Sequence, residues 1–222
     1  MTGDPVRKLS QAGRVWFRSA LGELELRAID KACAMGNAPG ARMDLSKVRD
    51  VLAPVHQLAR RALAAARPVR LVAFNKSEAS NWSLPWHQDR VIAVRERFGL
   101  SGYVNWIRKV GVWHVEPPIE ILQRMLLARV HLDRATEENG CMELALGSDA
   151  FAKVIDSAAE PIANRPGAQR ELCIAERGDV LLVKALTLHR SRASQSVGER
   201  RALRIDYAAE ALPSPLEWEF SS

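Results

Sequence analysis

The chain has 222 residues, of which 47% are hydrophobic, and a formal net charge of +6. This length suits one domain with a substantial core, because β-sandwiches and barrels often reach such a size undivided. Three scattered cysteines argue against a disulfide framework and a zinc cluster, and no apolar run approaches the roughly 20 residues that span a bilayer. The basic residues are spread along the chain without a recognised nucleic-acid motif. We therefore expect a soluble protein that binds neither nucleic acid nor membrane.

The cysteines and the first residues also bear on the expected location. Residues 1–8 are polar and lack the apolar core of a secretory signal. Cys33, Cys141 and Cys173 suggest no disulfide pairing, so a reducing cytoplasm is the expected compartment. The positive field favours small anionic partners, although a solvated arginine-rich surface would have the same composition. The oligomeric state stays open.

The N-terminal residues predict helices that support a sheet. Apolar residues recur at helical spacing over residues 23–35, and a glycine ends that pattern. Residues 37–40 predict a turn because they combine Asn, Pro and Gly. A second amphipathic helix is predicted over residues 45–66, with a kink or break at Pro54. We expect this mainly helical layer, residues 1–67, to pack on the outside of the sheet.

Short strands separated by turns follow this helical layer. Runs of branched and aromatic residues indicate strands at 69–74, 91–94, 126–132, 142–146, 171–175, 180–184 and 202–208. Many short strands with turns between them indicate an antiparallel double-sheet jelly roll. We therefore expect a mainly β fold in one domain, residues 1–222, with its jelly-roll core at 68–209.

One long segment, residues 95–122, interrupts the predicted strands. It contains Tyr103, Trp106, Trp113 and His114, and it directly follows a His-x-Asp pattern. Long loops in compact domains are uncommon unless they have a function, so we expect an active-site lid. The alternative is a surface loop that packs its tryptophans on the barrel.

Two imidazoles and one carboxylate are the strongest chemical signal in the chain. His87 and Asp89 are two positions apart, and on an extended segment such residues point to the same side. The fold would have to bring His189 alongside on a distant strand. This ligand set occupies one face of a metal octahedron and leaves other positions open, which suits Fe(II) in oxygen chemistry. A His-x-Asp pattern by itself also occurs by chance.

Several sequence blocks, taken in order, carry a family resemblance. The blocks are NWSLPWHQD at 81–89, RVHLD at 129–133, ENGCMEL at 138–144, GDVLL at 178–182 and RRAL at 200–203. Together they resemble the phytanoyl-CoA dioxygenase family over about residues 70–209. The resemblance implies a double-stranded β-helix, a cupin-like jelly roll with supporting helices on one face and a metal in its open mouth.

The resemblance also implies a set of functional residues. In such enzymes His87, Asp89 and His189 would bind Fe(II), with 2-oxoglutarate and O2 as co-substrates. Arg200 matches the arginine that binds 2-oxoglutarate, and its planar fork can hold a carboxylate through two hydrogen bonds. Ser191 matches a position that helps to hold the same carboxylate. Related halogenases have glycine in place of the aspartate, so the presence of Asp89 indicates hydroxylation.

Four further cationic residues lie near these positions. Arg201 points away from Arg200 if the segment is a strand, whereas Arg204 shares the face of Arg200 and is the alternative clamp. Lys76 and Arg129 lie on or beside strands that lead to the site. Either would contact the co-substrate or an acidic group of the substrate, and a solvated lysine is the alternative for Lys76.

Other ring-bearing residues are expected to be structural. His131 lies in a His-Leu-Asp segment and is expected in the core or behind the site. Trp86 would pack beneath the loop that carries the metal ligands. His56 and His114 lack metal-ligand spacing.

We predict an Fe(II)- and 2-oxoglutarate-dependent dioxygenase that hydroxylates an aliphatic C–H bond of a small molecule and converts 2-oxoglutarate to succinate and CO2. A same-fold oxygenase that acts on alkylated nucleic acid is one alternative, favoured only by the basic pI of about 9.6. A non-catalytic jelly-roll binding module that retains a metal is the other. Whether the substrate is free or linked to CoA or a carrier stays open, because one fold serves many substrates.

Overall fold

The computed structural model describes residues 4–33 and 40–220, whose strands form three antiparallel sheets. The predicted mainly β fold is confirmed. The strands are β1 Arg14–Phe17, β2 Ala41–Met43, β3 Arg67–Lys76, β4 Leu84–His87, β5 Ile92–Val94, β6 Val104–Lys109, β7 Val112–Glu116, β8 Met125–His131, β9 Met142–Ala145, β10 Arg170–Leu172, β11 Val180–Lys184, β12 His189–Ser191 and β13 Arg200–Ala208. The helices are α1 Pro5–Ala12, α2 Glu23–Ala32, α3 Ala53–Ala62, α4 Ile119–Gln123 and α5 Asp156–Ala163.

Two of the sheets line a common cavity. The larger sheet has the order β1-β11-β8-β13-β3-β2, and the smaller sheet has the order β10-β9-β12-β4. Along β8, Leu126 and Val130 lie in the core on the outer face, whereas Leu127 and Arg129 line the cavity. Both faces of this strand are covered, which is why its sequence is almost continuously apolar.

The N-terminal helices contribute to the core on the outer face of the larger sheet. Asp4 caps α1 by accepting a hydrogen bond from the Val6 N–H at 3.0 Å. Pro5 is tolerated in the first turn of α1, where its missing N–H needs no partner. No helix in residues 4–33 or 40–220 is long and apolar enough to cross a membrane. The core joins helix and sheet residues, among them Leu9, Leu26, Ile29, Leu52, Val55, Leu71, Val130, Leu182, Leu203 and Tyr207.

The helix predicted over residues 45–66 is divided, and Pro54 explains the division. A 3-10 turn at Leu45–Lys47 comes first, and α3 begins only at Ala53. Pro54 lies in the first turn of α3, where proline is favoured. Inside a continuous helix its ring would clash with the carbonyl four residues earlier. The predicted break therefore becomes a helix start.

The segment predicted to be helical also supplies two edge strands of the larger sheet. β1 pairs with β11, and β2 pairs with β3. They have four and three residues, too few for a period of two to be recognised. The predicted helix over 23–35 is seen as α2, which ends at Ala32. Residues 34–39, with most of the predicted turn at 37–40, lie outside the described part of the chain.

The segment 95–122 is a β-hairpin followed by a short helix rather than an irregular loop. Its strands β6 and β7 pair with each other, and β7 also pairs with β5. Its buried side chains, including Tyr103 and Val115, pack in a separate cluster with Met125 and Trp218. Among the described residues, the side chains that line the cavity come from outside this segment. A lid function for it stays a prediction.

A buried histidine gives the fold a testable sensitivity to acid. His56 on α3 is 5% exposed, and its Nδ1 lies 2.7 Å from the hydroxyl of Tyr207. Burial, followed by the charge of Arg60, lowers the pKa of His56 to about 4. As the pH falls, His56 therefore binds a proton near pH 6.5 in the unfolded chain but only near pH 4 in the folded chain. Stability is unaffected above pH 6.5 and falls as the pH drops through this window.

We expect the free energy of unfolding of the metal-free protein to fall between pH 6.5 and 4, with His56 contributing up to about 3 kcal/mol. Urea titrations at several pH values measure this dependence. His56→Gln cannot titrate and should have a shallower pH profile. An identical slope in the variant would mean that other buried groups, such as His114, account for the acid sensitivity.

Candidate active site

Neighbouring strands of the smaller sheet bring the two predicted histidines together. β12 pairs with β4 so that His189 lies directly opposite His87, and their ring centroids are 4.3 Å apart. Asp89 follows β4 by two residues. One potential ligand atom from each of the three residues lies within 4.8 Å of the others. The chain folds so that the His-x-Asp pair and the distant histidine converge.

The hydrogen bonds of the two rings leave their outer nitrogens free to bind a metal. His87 Nδ1 lies 2.7 Å from the carbonyl of Pro85, and His189 Nδ1 lies 3.0 Å from the carbonyl of Thr187. A carbonyl oxygen can only accept, so each Nδ1 carries a proton, and in the neutral form of each ring the lone pair is on Nε2. Such bonds orient metal-binding histidines in many proteins.

The carboxylate of Asp89 completes a donor set that fits a divalent cation. Its Oδ2 is buried, has no hydrogen-bond partner, and lies 3.3 Å from Nε2 of His189. Two acceptor atoms that face each other at this distance repel unless a cation lies between them. Burial, and next His87, lower the pKa of His189 to about 4, so its Nε2 is unprotonated at neutral pH. The residues present therefore fit the iron that the ligand types imply.

A chain of buried charges holds Asp89 from behind. Arg204 donates from Nη1 to Oδ1 of Asp89 at 2.6 Å and from Nε to Oδ1 of Asp206 at 2.7 Å. Arg70 Nε lies 2.6 Å from the other oxygen of Asp206. Burial alone would raise the pKa of Asp89, but Arg204 and other cationic neighbours outweigh it and hold the pKa well below its usual range. Arg204 is thus engaged by two carboxylates.

The alternative that Arg204 clamps 2-oxoglutarate is therefore not supported by its contacts. Burial would lower the pKa of Arg204, yet Asp206 and Asp89 outweigh burial and raise it. Sequence reasoning missed this role of Arg204. The signal was present as Arg204-Ile205-Asp206, two opposite charges on one face of an otherwise apolar strand.

We expect Arg204→Gln to weaken metal binding by about 10–100-fold, because groups that orient metal ligands typically have effects of that size. Without Arg204, Asp89 Oδ1 loses its charged partner and the carboxylate is free to rotate. Competition between the protein and a chelator for Ni²⁺ measures the affinity. Arg201→Gln is the matched control, since Arg201 pairs with Asp133 on the other face of the strand. An unchanged metal affinity together with weaker 2-oxoglutarate binding would restore the clamp role.

The three residues open onto a cavity of about 220 Å³ between the two sheets. Arg200 lines it and is 3% exposed, and its Nε and Nη1 have no hydrogen-bond partner. Burial, followed by the charge of Arg129, lowers the pKa of Arg200 to about 9. The apolar part of the wall comes from Phe74, Trp82, Leu84, Leu127, Met142, Leu144 and Val183.

Ser191 and Lys76 lie beside Arg200. Lys76 is 1% exposed and lies opposite Arg200 across the strand pair. Its Nζ donates to Ser191 Oγ at 2.8 Å and to the carbonyl of Arg192. The Ser191 hydroxyl lines the cavity and donates to the carbonyl of Gly140 at 3.0 Å. A solvated Lys76, the alternative in the sequence analysis, is thus wrong; burial and then Arg200 lower its pKa to about 7.

Two other residues are placed as structural parts of the site. His131 is 1% exposed, its ring lies 5.7 Å from that of Trp16, and it is outside the cavity lining. Burial, followed by Arg129, lowers its pKa well below the usual value. Trp86 is 4% exposed, and the guanidinium of Arg190 lies 4.8 Å from its ring. Both were expected to pack behind the site.

A sequence model of one family matches most of the chain. The phytanoyl-CoA dioxygenase (PhyH) model aligns with residues 17–202. The chain belongs to the phytanoyl-CoA dioxygenase family. As a phytanoyl-CoA dioxygenase family member it is an Fe(II)- and 2-oxoglutarate-dependent enzyme, which agrees with the donor set at His87, Asp89 and His189. No curated protein sequence matches this family member significantly.

Several solved structures share the fold of this phytanoyl-CoA dioxygenase family member. The carbocyclase SnoK from nogalamycin biosynthesis is 19% identical, with a TM-score of 0.67 over 94% of this chain and 84% of SnoK. The epimerase SnoN from the same biosynthesis is 15% identical, with a TM-score of 0.61 over 91% of this chain and 80% of SnoN. HygX from Streptomyces hygroscopicus, solved with iron bound, is 16% identical, with a TM-score of 0.62 over 94% of this chain and 86% of HygX. HygX has also been solved with nickel, 2-oxoglutarate and hygromycin B.

Proposed function

We propose that this enzyme hydroxylates an aliphatic C–H bond of a small molecule, with His87, Asp89 and His189 as the iron ligands. The observation that carries the proposal is the convergence of these donor atoms in a cavity that is also lined by Arg200, whose guanidinium has unpaired nitrogens. Bound iron would supply the activation of O2 that is coupled to the conversion of 2-oxoglutarate to succinate and CO2.

The protein's contribution is to hold the three donors before the metal arrives. The backbone carbonyls of Pro85 and Thr187 accept from Nδ1 of the two imidazoles and so direct both Nε2 atoms to the metal. Arg204 engages one oxygen of Asp89 and leaves Oδ2 for the metal. A carboxylate in place of the glycine of halogenases leaves no ligand position for chloride, which favours hydroxylation.

Arg200 and Ser191 are proposed to bind the distal carboxylate of 2-oxoglutarate. The guanidinium of Arg200 is cationic at neutral pH, its planar fork suits a carboxylate, and burial strengthens the interaction. Lys76 donates to the Ser191 hydroxyl at 2.8 Å and so positions it beside Arg200. The apolar wall excludes water from the reacting atoms.

The cavity supports a small substrate or a small reacting group. Its volume of about 220 Å³ lies below the roughly 300–1,000 Å³ of typical ligand pockets, and 2-oxoglutarate must share it. SnoK and SnoN come from nogalamycin biosynthesis and HygX has been solved with hygromycin B bound, and this supports a free small molecule. The free, buried Cys33, Cys141 and Cys173 support a proposed cytoplasmic location.

The test is product analysis with Fe(II), 2-oxoglutarate and ¹⁸O2. Candidate small molecules are screened by the succinate that each releases above the substrate-free rate. Hydroxylation predicts a product heavier by one labelled oxygen atom. Because SnoK is a carbocyclase and SnoN an epimerase, a cyclised or epimerised product without label would retain the oxygenase machinery and overturn hydroxylation. A salt-dependent mobility assay with alkylated DNA tests the nucleic-acid alternative.

A further inference from the structure

A second cation in the cavity has no anionic partner. Arg129, on β8, lines the same cavity as Arg200 and is half-buried. Its Nε is fully enclosed without a hydrogen-bond partner. Among the described residues, no carboxylate lies within 4.0 Å of the side-chain nitrogens of Arg129, Arg200 or Lys76. Two other arginines that line the cavity, Arg204 and Arg190, are each paired with a carboxylate.

The contacts that Arg129 makes offset only part of the free-energy cost of burying its charge. Its guanidinium lies 5.6 Å from the ring of Phe74. A cation–π contact is weaker than the hydrogen bonds and the counter-ion that a guanidinium loses when it is removed from water. Buried charges in proteins are normally paired. The position of Arg129 is therefore that of a ligand-binding residue rather than of a structural one.

The co-substrate by itself leaves this positive charge uncompensated. The acidic groups behind the cavity, Asp89 and Asp206, are already engaged by Arg204 and Arg70. 2-Oxoglutarate has two carboxylates: one is assigned to the metal and one to Arg200. Whichever arginine takes the distal carboxylate, one free guanidinium remains.

The strand register separates the two arginines. The backbone of Arg129 lies opposite that of Arg204, the residue that holds Asp89. Arg200 lies opposite Lys76, four residues earlier on β13, which corresponds to about 13 Å of backbone. The guanidinium of Arg129 nevertheless lies close enough to Arg200 and Lys76 for its charge to lower the pKa of both, so three basic side chains share the part of the cavity that receives one distal carboxylate.

We propose that Arg129 binds an anionic oxygen group, a carboxylate or a phosphate, of the primary substrate. This inference rests on the proposed function and names the substrate class for that site. The anion anchors the substrate in the cavity, and the apolar wall from Leu127, Leu144 and Val183 contacts its aliphatic part.

The experiment measures anion binding in protein loaded with redox-inert Ni²⁺ and saturated with 2-oxoglutarate. Acetate and inorganic phosphate are the anionic probes, and acetamide is the neutral counterpart of acetate. Calorimetric titration should show saturable binding of at least one anion, at least tenfold tighter than acetamide. The comparison of the two anions distinguishes a carboxylate from a phosphate substrate.

Variants then assign the anion site. Arg129→Met should remove the preference for the anion and change the Kd of 2-oxoglutarate less than threefold. Arg129→Lys keeps the charge and should restore the preference at least in part, which separates charge from packing. Arg192→Met, at an exposed arginine paired loosely with Glu137, is the matched control and should behave like the wild type.

Two outcomes overturn the proposal. The first is a wild-type protein that binds acetate and phosphate no better than acetamide. The second is an increase in the Kd of 2-oxoglutarate in Arg129→Met as large as that in Arg200→Met, which would assign Arg129 to the co-substrate. If 2-oxoglutarate fails to bind the Ni²⁺-loaded wild type, the proposed function fails instead. The same titrations without 2-oxoglutarate then decide whether Arg129 binds anions.

Discussion

His87→Ala, Asp89→Ala and His189→Ala are each expected to weaken divalent metal binding by more than 100-fold and to abolish succinate formation. Groups that merely orient metal ligands change affinity by about 10–100-fold, so the loss of a ligand should exceed that range. The pairwise approach of the three donor atoms to within 4.8 Å makes each of them part of one site. Chelator competition with Ni²⁺ measures the affinity, and coupled detection of succinate measures turnover.

His114→Ala is the matched control for these variants. His114 is a buried histidine on β7, outside the cavity lining, and it contacts Arg42 rather than the donor cluster. Its replacement should leave metal affinity unchanged. Asp89→Asn keeps the shape of the side chain and should still lose most of the affinity, because an amide oxygen carries no charge. Retained metal binding in any ligand variant would refute the ligand assignment.

Arg200→Met is expected to raise the Kd and the apparent KM for 2-oxoglutarate by about 10–100-fold and to leave metal affinity unchanged. A hydrogen bond to a charged group contributes about 1.5–3 kcal/mol, and each 1.4 kcal/mol is a factor of ten in binding. The unpartnered, buried guanidinium of Arg200 is placed to make such bonds. Titration of 2-oxoglutarate into Ni²⁺-loaded protein measures the Kd independently of turnover.

Arg200→Lys should recover only part of the lost affinity, since an ammonium lacks the planar fork that matches a carboxylate. Arg201→Met is the control, because Arg201 is the adjacent residue on the opposite face and is paired with Asp133. An unchanged Kd in Arg200→Met would transfer the carboxylate to Arg129 or Ser191. It would also remove the basis for treating Arg129 as free for the substrate.

Local patterns in the sequence predicted the elements that local rules control. The sequence predicted β3, β5, β8, β9, β10, β11 and β13, because branched residues alternate or run continuously there. Pro54 predicted an interruption, since proline acts on its own turn of helix. The sequence did not predict six other strands, β1, β2, β4, β6, β7 and β12. For β1 and β2, pairing with β11 and β3, and not local preference, makes the chain extended.

The sequence likewise predicted only part of the chemistry of the site. The spacing of His87 and Asp89 and the family resemblance were sufficient to predict the metal chemistry. Alternation puts both side chains on one side of an extended segment, and the ligand types restrict which metal can bind. Only the tertiary structure decided the partners of the cations. Arg204 became a support for Asp89, Lys76 was enclosed by Ser191 and backbone carbonyls, and Arg129 was left unpaired in the cavity. These outcomes depend on which strands become neighbours, and no single stretch of sequence contains that information.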